Sequence, residues 1–438
     1  RPWHELVDFL RGESVFKDHV ARPARDKEPG GKAVLLIIDG LGDLPIPELD
    51  GKTPLEAADT PVLDQLAGSG LYGLVDPILP GEIPNTDSGT GMIMGLLPEQ
   101  VDRLKRGPVE AAGAGQTLAP GEVAVRANFA TIEHREGKFL ITDRRAGRIT
   151  KGTHELAEAL TNVDLGDGIT GRFLPTDQHR GVIILSGQGL HEAISDTDPG
   201  DLNIPAALQI CRPLEPEAEL TAVKVNRFII EAHQLLADHP VNAKRVRDGK
   251  LPASGLITRG AGSRFDLDNT LIKQGLKVAL VSGCNTVLGL GSIFGFDVIT
   301  DERFTADIDT DLDAKIWAVR KALNKNDLVF VHIKAPDIYS HDRQPLAKRD
   351  FLQRIDQSLK PLLESGATIA VAADHTTDSN TGSHSADPVP ALIYHPGAGG
   401  RADPVKFGET SCSGGNLGRQ LSKEFLFQVV TTMKSAAV

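Results

Sequence analysis

The sequence predicts an α/β protein in which helices cover a doubly wound, mainly parallel sheet. From Val34 onward, short runs rich in β-branched residues alternate with longer stretches of helical character, which is typical of this class. Most of these runs are almost continuously apolar, as strands buried on both faces must be. The predicted strands are Val34–Ile38, Val182–Leu185, Val278–Ser282, Leu328–Ile333, Thr368–Ala373 and Ala391–Tyr394.

Two helices have clear signals in the sequence. Thr53 and Glu56 have the spacing of a capping box, and a proline between them occupies the first helical position, so a helix is predicted to begin there. Apolar residues recur at helical spacing from Leu312 to Leu323, which predicts a second helix with one apolar face.

The composition and pattern of the sequence change between about residues 100 and 250. Glycine-rich turns, an arginine-rich segment (143–148) and hairpin-like alternation (122–141) occur there. At 438 residues, the chain is long enough for two or three domains. We therefore expect an inserted α+β domain and an N-terminal extension with a short helix packed on the body. The predicted parts are an extension (1–30), a sheet domain (31–100 and 250–438) and the inserted domain (101–249).

Composition and charge exclude several classes of protein. Lys and Arg total 47 and Asp and Glu total 59, so the formal net charge is 47 − 59 = −12, which argues against a nucleic-acid backbone as the main partner. No stretch approaches the roughly 18 consecutive apolar residues of a transmembrane helix. The three cysteines are far apart and form no CxxC pattern, which favours a reducing cytoplasm.

Three predicted strands are followed by residues that can bind metal ions. Asp39 follows the first strand, and ligand sites in open α/β sheets lie just beyond the carboxyl ends of strands, although an Asp-Gly pair there is more often only a turn. The strand from Leu328 leads to Asp337 and His341, which one helical turn would place on one face. A solvated loop explains that spacing equally well.

The third such strand ends in Asp374 and His375, and His384 lies on the following loop. Singly, each histidine fits an ordinary surface residue, but three strand ends deliver Asp or His to one edge of one sheet. Six potential ligands suffice for two metal ions, and mixed carboxylate and imidazole ligands suit Mn²⁺ or Zn²⁺ and, less well, Mg²⁺. Two such ions about 4 Å apart stabilise both oxygens of an in-line displacement at phosphorus.

The nucleophile is expected in the hydroxyl-rich loop of residues 83–91, where Thr86 and Ser88 are both able to attack phosphorus. The loop leads into a predicted helix whose amino end favours anions. The alternative is a Ser/Thr-rich turn that only caps this helix.

Together these residues resemble the alkaline phosphatase superfamily, and more closely its cofactor-independent phosphoglycerate mutases of archaeal type. The resemblance extends from about residue 32 to the C-terminus. It rests on the segments VLLIIDGLGD, GKTPLEAADTPVLDQLA, RGPVEAAGAGQTLAPGEVAVRANFAT, DRRAGRI, SDTDP, HIKAPDIYSHD, AADHTTDSNTGSHSADPVP and CSGGNLGR, in that order.

The resemblance implies an alkaline-phosphatase-like fold, an inserted cap that binds a small phosphorylated acid, two divalent metal ions and no requirement for 2,3-bisphosphoglycerate. One metal ion would be held by Asp337, His341 and His384, and the other by Asp39, Asp374, His375 and the nucleophile. The register of the downstream glycine places Thr86 at the nucleophile and Thr90 at a position where the mutase pattern has histidine.

The resemblance also implies that cations in the inserted domain clamp the phosphate and carboxylate of the substrate, since a guanidinium matches both in a two-point contact. Singly, each arginine also fits a surface ion pair. The implied binding residues are Arg126, Arg144, Arg148, Arg180 and Arg259. Lys334 is a further clamp with a catalytic role, and Asp143 is a candidate for moving the proton between substrate oxygens.

Three positions depart from the mutase pattern: Thr86 replaces serine, Thr90 replaces histidine, and residues 285–289 lack the arginine expected before glycine. Phosphopentomutases and several phosphodiesterases of the superfamily resemble this chain in using threonine. We predict interconversion of 2- and 3-phosphoglycerate through a phosphothreonine. The alternatives are a phosphatase, a phosphonate-processing enzyme or a phosphotransferase acting on another small phosphorylated metabolite, followed by a catalytically silent homologue.

Overall fold

A computed structural model of the protein describes residues 31–200, 204–397 and 405–435, so the helix expected within residues 1–30 lies outside the described residues. The strands, in chain order, are β1 (Ala33–Ile38), β2 (Leu71–Asp76), β3 (Val123–Arg135), β4 (Lys138–Asp143), β5 (Val163–Asp164), β6 (Thr170–Pro175), β7 (Arg180–Ser186), β8 (Ala206–Ala207), β9 (Gly255–Ser263), β10 (Val278–Val281), β11 (Asp297–Ile299), β12 (Leu328–Ile333), β13 (Thr368–Ala372), β14 (Thr376–Asp378), β15 (Ser383–Ser385), β16 (Val389–Tyr394) and β17 (Gly418–Leu421). The α-helices are α1 (Pro54–Ala57), α2 (Pro61–Gly68), α3 (Thr86–Ile93), α4 (Arg106–Gly113), α5 (Thr153–Glu158), α6 (Glu219–Ala237), α7 (Pro240–Arg247), α8 (Thr270–Lys273), α9 (Asn285–Ile293), α10 (Leu312–Ala322), α11 (Ala335–His341), α12 (Pro345–Ser358), α13 (Lys360–Leu363), α14 (Glu409–Ser413) and α15 (Ser422–Ser435).

The described residues form two compact units. Unit 1 contains the residues up to Val101 and from Leu267 onward, and unit 2 runs from Asp102 to Asp266. The second boundary therefore differs from the one expected after residue 249. The reason is β9, which pairs with β3 and so belongs to the sheet of unit 2.

Unit 1 contains an eight-stranded sheet with the strand order β11-β10-β12-β1-β13-β16-β2-β17. The five strands from β11 to β13 run parallel to one another, which confirms the predicted α/β class. Every residue of β1, β10, β12 and β13 is buried, as their apolar sequences require. The predicted strand Ala391–Tyr394 lies in β16, which runs antiparallel to both of its neighbours.

Both predicted helices are confirmed. At the start of α1, Thr53 and Glu56 form the reciprocal hydrogen bonds of a capping box. Helix α10 begins after Asp311, whose side chain accepts a hydrogen bond from the amide of Ala314, and it buries one apolar face. Within the described ranges, no helix combines the length and hydropathy that a membrane span requires.

Unit 2 is built on a seven-stranded antiparallel sheet. The hairpin expected over residues 122–141 is confirmed as β3 and β4. The predicted strand Val182–Leu185 lies in β7 of this sheet, and its assignment to the parallel sheet was therefore wrong. A run of apolar residues also suits a strand of an antiparallel sheet when both faces of that sheet are covered. Alternate residues of β7 lie in two separate hydrophobic core clusters, so both faces of this strand are buried.

A carboxylate from another helix holds the amino end of α2. Its own N-cap residue, Thr60, makes no capping hydrogen bond with its side chain. Instead, Asp356 on α12 accepts hydrogen bonds from the amides of Val62 (3.2 Å) and Leu63 (2.8 Å). Burial raises the pKa of the Asp356 carboxyl. The contact joins two helices and satisfies two amides that the helix itself leaves without an acceptor.

Replacing Asp356 with alanine should lower the free energy of unfolding by about 2 to 3 kcal/mol, because two buried amides lose their acceptor. Asp356→Asn keeps one acceptor oxygen and should lose about half of that. Asp311→Ala, which removes an exposed N-cap, is the matched control and should cost about 1 kcal/mol in denaturant unfolding. Equal losses for Asp356→Ala and Asp311→Ala would contradict this account.

Candidate active site

Three neighbouring parallel strands end at one edge of the unit 1 sheet, because β1 lies between β12 and β13. Asp39 directly follows β1, and Lys334 directly follows β12. Helix α11 then carries Asp337 and His341, while Asp374 lies two residues beyond β13. The topology thus gathers side chains from distant parts of the sequence at the carboxyl ends of the strands.

Asp337, His341 and His384 form a first group of potential metal ligands. The Nε2 atom of His341 lies 3.2 Å from Oδ1 of Asp337, one helical turn away. The Nε2 atom of His384, on β15, lies 3.5 Å from the same oxygen and 3.2 Å from Nε2 of His341. Two imidazole nitrogens and one carboxylate oxygen therefore converge.

A second group forms around His375. Its Nε2 atom lies 3.3 Å from Oδ1 of Asp39, 3.1 Å from Oδ2 of Asp374 and 3.3 Å from Oγ1 of Thr86. The ring of His375 stacks on that of His384, with centroids 3.6 Å apart, so the two groups adjoin. All seven predicted metal-binding residues thus lie in one cluster within unit 1.

The three histidines turn the same ring nitrogen toward the cluster, because Nδ1 of each donates to an acceptor outside it. The acceptors for His341, His384 and His375 are the Gly382 carbonyl (2.8 Å), the Pro84 carbonyl (2.9 Å) and the Thr377 hydroxyl (2.9 Å), respectively. The Thr377 hydroxyl donates its own proton to Asp337 (2.8 Å), so it accepts from His375. Each Nε2 is thereby left to face the cluster.

The ammonium group of Lys334 joins the two groups. Its Nζ atom lies 2.7 Å from Oδ2 of Asp337, 3.0 Å from Oδ2 of Asp39 and 3.2 Å from Oγ1 of Thr86. One cation therefore contacts a carboxylate from each group together with the candidate nucleophile.

The electrostatics of the cluster favour positive charge. Burial, the largest single effect, would raise the pKa of the Asp39 and Asp337 carboxyls, but Lys334 and the neighbouring histidines together hold both pKa values well below their usual range. Burial would likewise lower the pKa of His375, but the carboxylate of Asp374, with smaller effects of the other two carboxylates, raises it to about 10. Carboxylates this deeply buried require cations.

The donor set fits divalent metal ions. With Nδ1 of His341 and His384 engaged as donors, the Nε2 lone pairs of the two neutral rings would face each other at 3.2 Å, an arrangement that a cation between them stabilises. Carboxylate oxygens and imidazole nitrogens in such a mixture suit Mn²⁺ and Zn²⁺.

The structure separates the two hydroxyls that were candidates for the nucleophile. Thr86, the first residue of α3, reaches the cluster, whereas Ser88 hydrogen-bonds back to the amide (3.1 Å) and the carbonyl (3.2 Å) of Asn85 and so caps the helix. Thr90, one helical turn beyond Thr86, is buried and donates to Oδ2 of Asp374 at 3.5 Å.

Sequence reasoning missed His332. This residue of β12 is fully buried, and its Nε2 atom lies 2.9 Å from Oδ2 of Asp39. A signal was present, because His332 is the one residue of the strand sequence LVFVHI that is not apolar. A histidine near the end of a strand buried on both faces requires a polar partner.

In unit 2, three of the predicted binding arginines share one face of the sheet. Arg126 on β3 lies opposite Arg259 on β9, and Asn128, two residues along β3, lies opposite Arg180 on β7. Residues two apart on a strand, and their directly paired partners, point to the same side. Arg126, Arg180 and Arg259 therefore project from the same surface.

Four arginines of unit 2 lie close enough to His179 to affect its pKa. Burial, followed by the charges of Arg180, Arg145, Arg126 and Arg148, lowers the pKa of this histidine to about 2. The imidazole is therefore neutral among guanidinium groups, in a region suited to an anion.

The remaining predicted residues of unit 2 have partners within the unit. Arg144 binds both oxygens of Asp198, at 2.9 and 2.8 Å, and Arg259 contacts the same carboxylate. Asp143 accepts hydrogen bonds through Oδ1 from the amides two and four residues further along, at 2.8 and 3.0 Å, and so closes its own turn. One oxygen of the candidate proton carrier is therefore engaged by the backbone.

Comparison with known proteins connects this chain to one family. Residues 67–242 match the family model described as 2,3-bisphosphoglycerate-independent phosphoglycerate mutase. A protein of that description from Methanopyrus kandleri is 40% identical over 405 residues, which cover 89% of this chain and 93% of the relative. One from Methanoculleus marisnigri is 39% identical over 399 residues, which cover 90% of this chain and 95% of the relative.

Solved structures agree with these sequence matches. A Pyrococcus horikoshii protein, 31% identical, superposes with a TM-score of 0.75 over 92% of this chain and 97% of its own. The cofactor-independent phosphoglycerate mutase from Thermoplasma acidophilum, 33% identical, has a TM-score of 0.61 over 92% of this chain and 100% of its own. The chain therefore belongs to the family of 2,3-bisphosphoglycerate-independent phosphoglycerate mutases, which are isomerases.

Proposed function

We propose that this protein interconverts 2- and 3-phosphoglycerate through a phosphothreonine formed on Thr86, with two divalent metal ions bound. One observation carries the proposal: Oγ1 of Thr86 lies 3.3 Å from Nε2 of His375 and 3.2 Å from Nζ of Lys334, where the two ligand groups adjoin. A hydroxyl placed there is oriented by a cation and surrounded by potential metal ligands, as phosphoryl transfer requires.

The metal ligands in this proposal are two sets of side chains. Asp337, His341 and His384 would hold one ion, and Asp39, Asp374, His375 and Thr86 the other. When bound, the ions would lower the pKa of the nucleophilic hydroxyl and stabilise the negative charge of the transferring phosphoryl group. Mn²⁺ or Zn²⁺ suits these ligands better than Mg²⁺.

The residues of the chain have separate tasks in the transfer. The Thr86 oxygen, having lost its proton, forms a bond to phosphorus as the bond from phosphorus to the substrate oxygen breaks, and the departing oxygen takes up a proton. The other hydroxyl of the retained product then attacks the phosphothreonine and restores Thr86. Lys334 donates to Thr86 Oγ1 and offsets negative charge as that oxygen becomes the nucleophile. Asp143 is proposed to move the proton between the two substrate oxygens.

In unit 2, we propose that the arginines contribute to binding the carboxylate and phosphate of phosphoglycerate. The concentration of guanidinium charge near the neutral His179 supports this role for Arg126, Arg148 and Arg180. Arg144 and Arg259 both bind the carboxylate of Asp198, which fixes the orientation of the two guanidinium groups.

A phosphatase is the second candidate, and the identity of residue 90 favours it. Thr90 donates to Asp374 at a position where the mutase pattern has histidine, so the pocket lacks that imidazole. In a phosphatase, water would discharge the same phosphothreonine to free phosphate. ³¹P NMR with 3-phosphoglycerate distinguishes the two, because a mutase yields 2-phosphoglycerate and a phosphatase yields inorganic phosphate.

Thr86→Ala should lower turnover by about three orders of magnitude or more, because the hydroxyl that accepts the phosphoryl group is lost. Metal content should stay largely intact, since three ligands of that ion remain. Thr86→Ser should retain activity, and Ser88→Ala is the control that changes only a helix cap. Turnover is measured by ³¹P NMR, and undiminished activity of Thr86→Ala would exclude the phosphothreonine.

Removing divalent ions with a chelator should abolish turnover. Adding Mn²⁺ should restore it, because the negative charge of the transferring phosphoryl group is then stabilised again. His384→Ala should bind one ion fewer per chain, measured by elemental analysis. A fully active protein from which every divalent ion has been removed would refute the metal dependence.

Arg180→Ala should raise the KM for 3-phosphoglycerate about 10- to 100-fold, because a charge-assisted hydrogen bond to the substrate anion is lost. Arg135, an exposed residue paired with Glu133, supplies the control variant Arg135→Ala, whose kinetics should match the wild type. Steady-state kinetics check both. A KM for Arg180→Ala equal to that of the control would remove this arginine from substrate binding.

A further inference from the structure

His332 is a buried polar group to which the proposed reaction assigns no task. Its side chain is about 1% exposed, and it lies next to the end of β12, opposite Ile37 of β1. Its Nε2 atom lies 2.9 Å from Oδ2 of Asp39, and its Nδ1 atom has no hydrogen-bond partner among the described residues. The orientation of the ring therefore depends on the contact with Asp39.

The chemistry of this contact determines which atom carries the proton. Oδ2 of Asp39 accepts a hydrogen bond from Nζ of Lys334 at 3.0 Å, so it is an acceptor. Within the described part of the chain, Nδ1 of His332 has no acceptor, so the proton of the ring belongs on Nε2, which donates to Oδ2 at 2.9 Å. Nε2 of His332 lies close enough to carboxylate oxygens of Asp39 and Asp374 to share an ion with them, but a nitrogen that carries hydrogen has no lone pair for a metal ion. His375 differs, because its Nδ1 donates to Thr377 and leaves the Nε2 lone pair of the neutral ring facing the cluster.

His332 distinguishes between the two oxygens of Asp39, whereas Lys334 does not. Lys334 contacts both oxygens, at 3.2 and 3.0 Å, while His332 contacts Oδ2 alone. With Oδ2 held, Oδ1 is the oxygen that faces Nε2 of His375, at 3.3 Å. The histidine thus sets which oxygen Asp39 presents to the ligand group around His375.

A buried lysine contacts the backbone of His332. Lys315, on α10, donates through Nζ to the carbonyl of His332 at 3.2 Å and contacts the carbonyl of Thr305 at 3.5 Å. Burial lowers the pKa of this lysine to about 8. The backbone that carries His332 is therefore anchored by both the sheet and a side chain.

We propose that His332 is a positioning residue that holds Oδ2 of Asp39, so that Oδ1 binds the divalent ion shared with Asp374 and His375. The inference rests on the proposed two-ion function and adds a determinant of metal affinity to it. Hydrogen bonds to a ligating carboxylate typically change metal affinity about 10- to 100-fold. The ion held by Asp337, His341 and His384 makes no use of this contact.

The test compares two amides at position 332. In His332→Gln, the amide nitrogen reaches the place of Nε2, whereas in His332→Asn it falls one methylene short. Metal-free protein is titrated with Co²⁺, and visible absorption and elemental analysis give the affinity and stoichiometry of each ion. His332→Gln should stay within about threefold of the wild type, and His332→Asn should bind one of its two ions about 10- to 100-fold more weakly. The other ion is the internal control.

Each outcome supports or overturns the proposal. Thermal unfolding checks that the metal-free variants are folded, and His332→Met, which fills the space without a donor, replaces His332→Asn if that variant unfolds. A wild type that binds fewer than two ions overturns the proposed function. Two ions in the wild type with unchanged affinities in His332→Asn overturn the inference alone. Complete loss of one ion from His332→Gln would identify His332 as a direct ligand and also overturn it.

Discussion

The concentration of negative charge in a buried volume is the constraint on which the site depends. Asp39, Asp337 and Asp374 are each at most about 1% exposed, and their carboxylates meet around His375 and Lys334. Carboxylates removed from water are stable only beside cations, so the same negative charge raises the pKa of His375 and favours divalent ions. The proposed metal dependence and the placement of Lys334 beside Thr86 both follow from this constraint.

The parallel sheet explains how distant residues meet. Because β12, β1 and β13 are adjacent and parallel, their carboxyl ends lie at one edge, and the loops that follow them share a small volume. The side chains are then held by hydrogen bonds outside the cluster, as the Nδ1 contacts of His341 and His384 show. Such contacts fix the orientation of an imidazole before any ion binds, which reduces the cost of assembling the site.

Sequence reasoning located most residues of this cluster because they follow an apolar strand or lie one helical turn beyond such a residue. Thr86 and His384 were found instead in the loops of residues 83–91 and after His375. Residue chemistry alone did not choose between Thr86 and Ser88, which have similar chemistry and lie two residues apart, and only the resemblance to the mutases favoured Thr86. Their roles differ because α3 begins at Thr86, so that Ser88 caps the helix. His332 was missed because it lies inside a strand, where a single polar residue carries no motif.

The sequence by itself determined the α/β class, the helix starts near Thr53 and Leu312 and the resemblance to the mutases, because periodicity, capping and motifs are local properties of the chain. Only the tertiary structure decided that β9 completes the sheet of unit 2, that Asp198 binds both Arg144 and Arg259, and that His332 contacts Asp39. These are pairings between residues far apart in sequence. They depend on how strands associate in space, and no local pattern encodes that association.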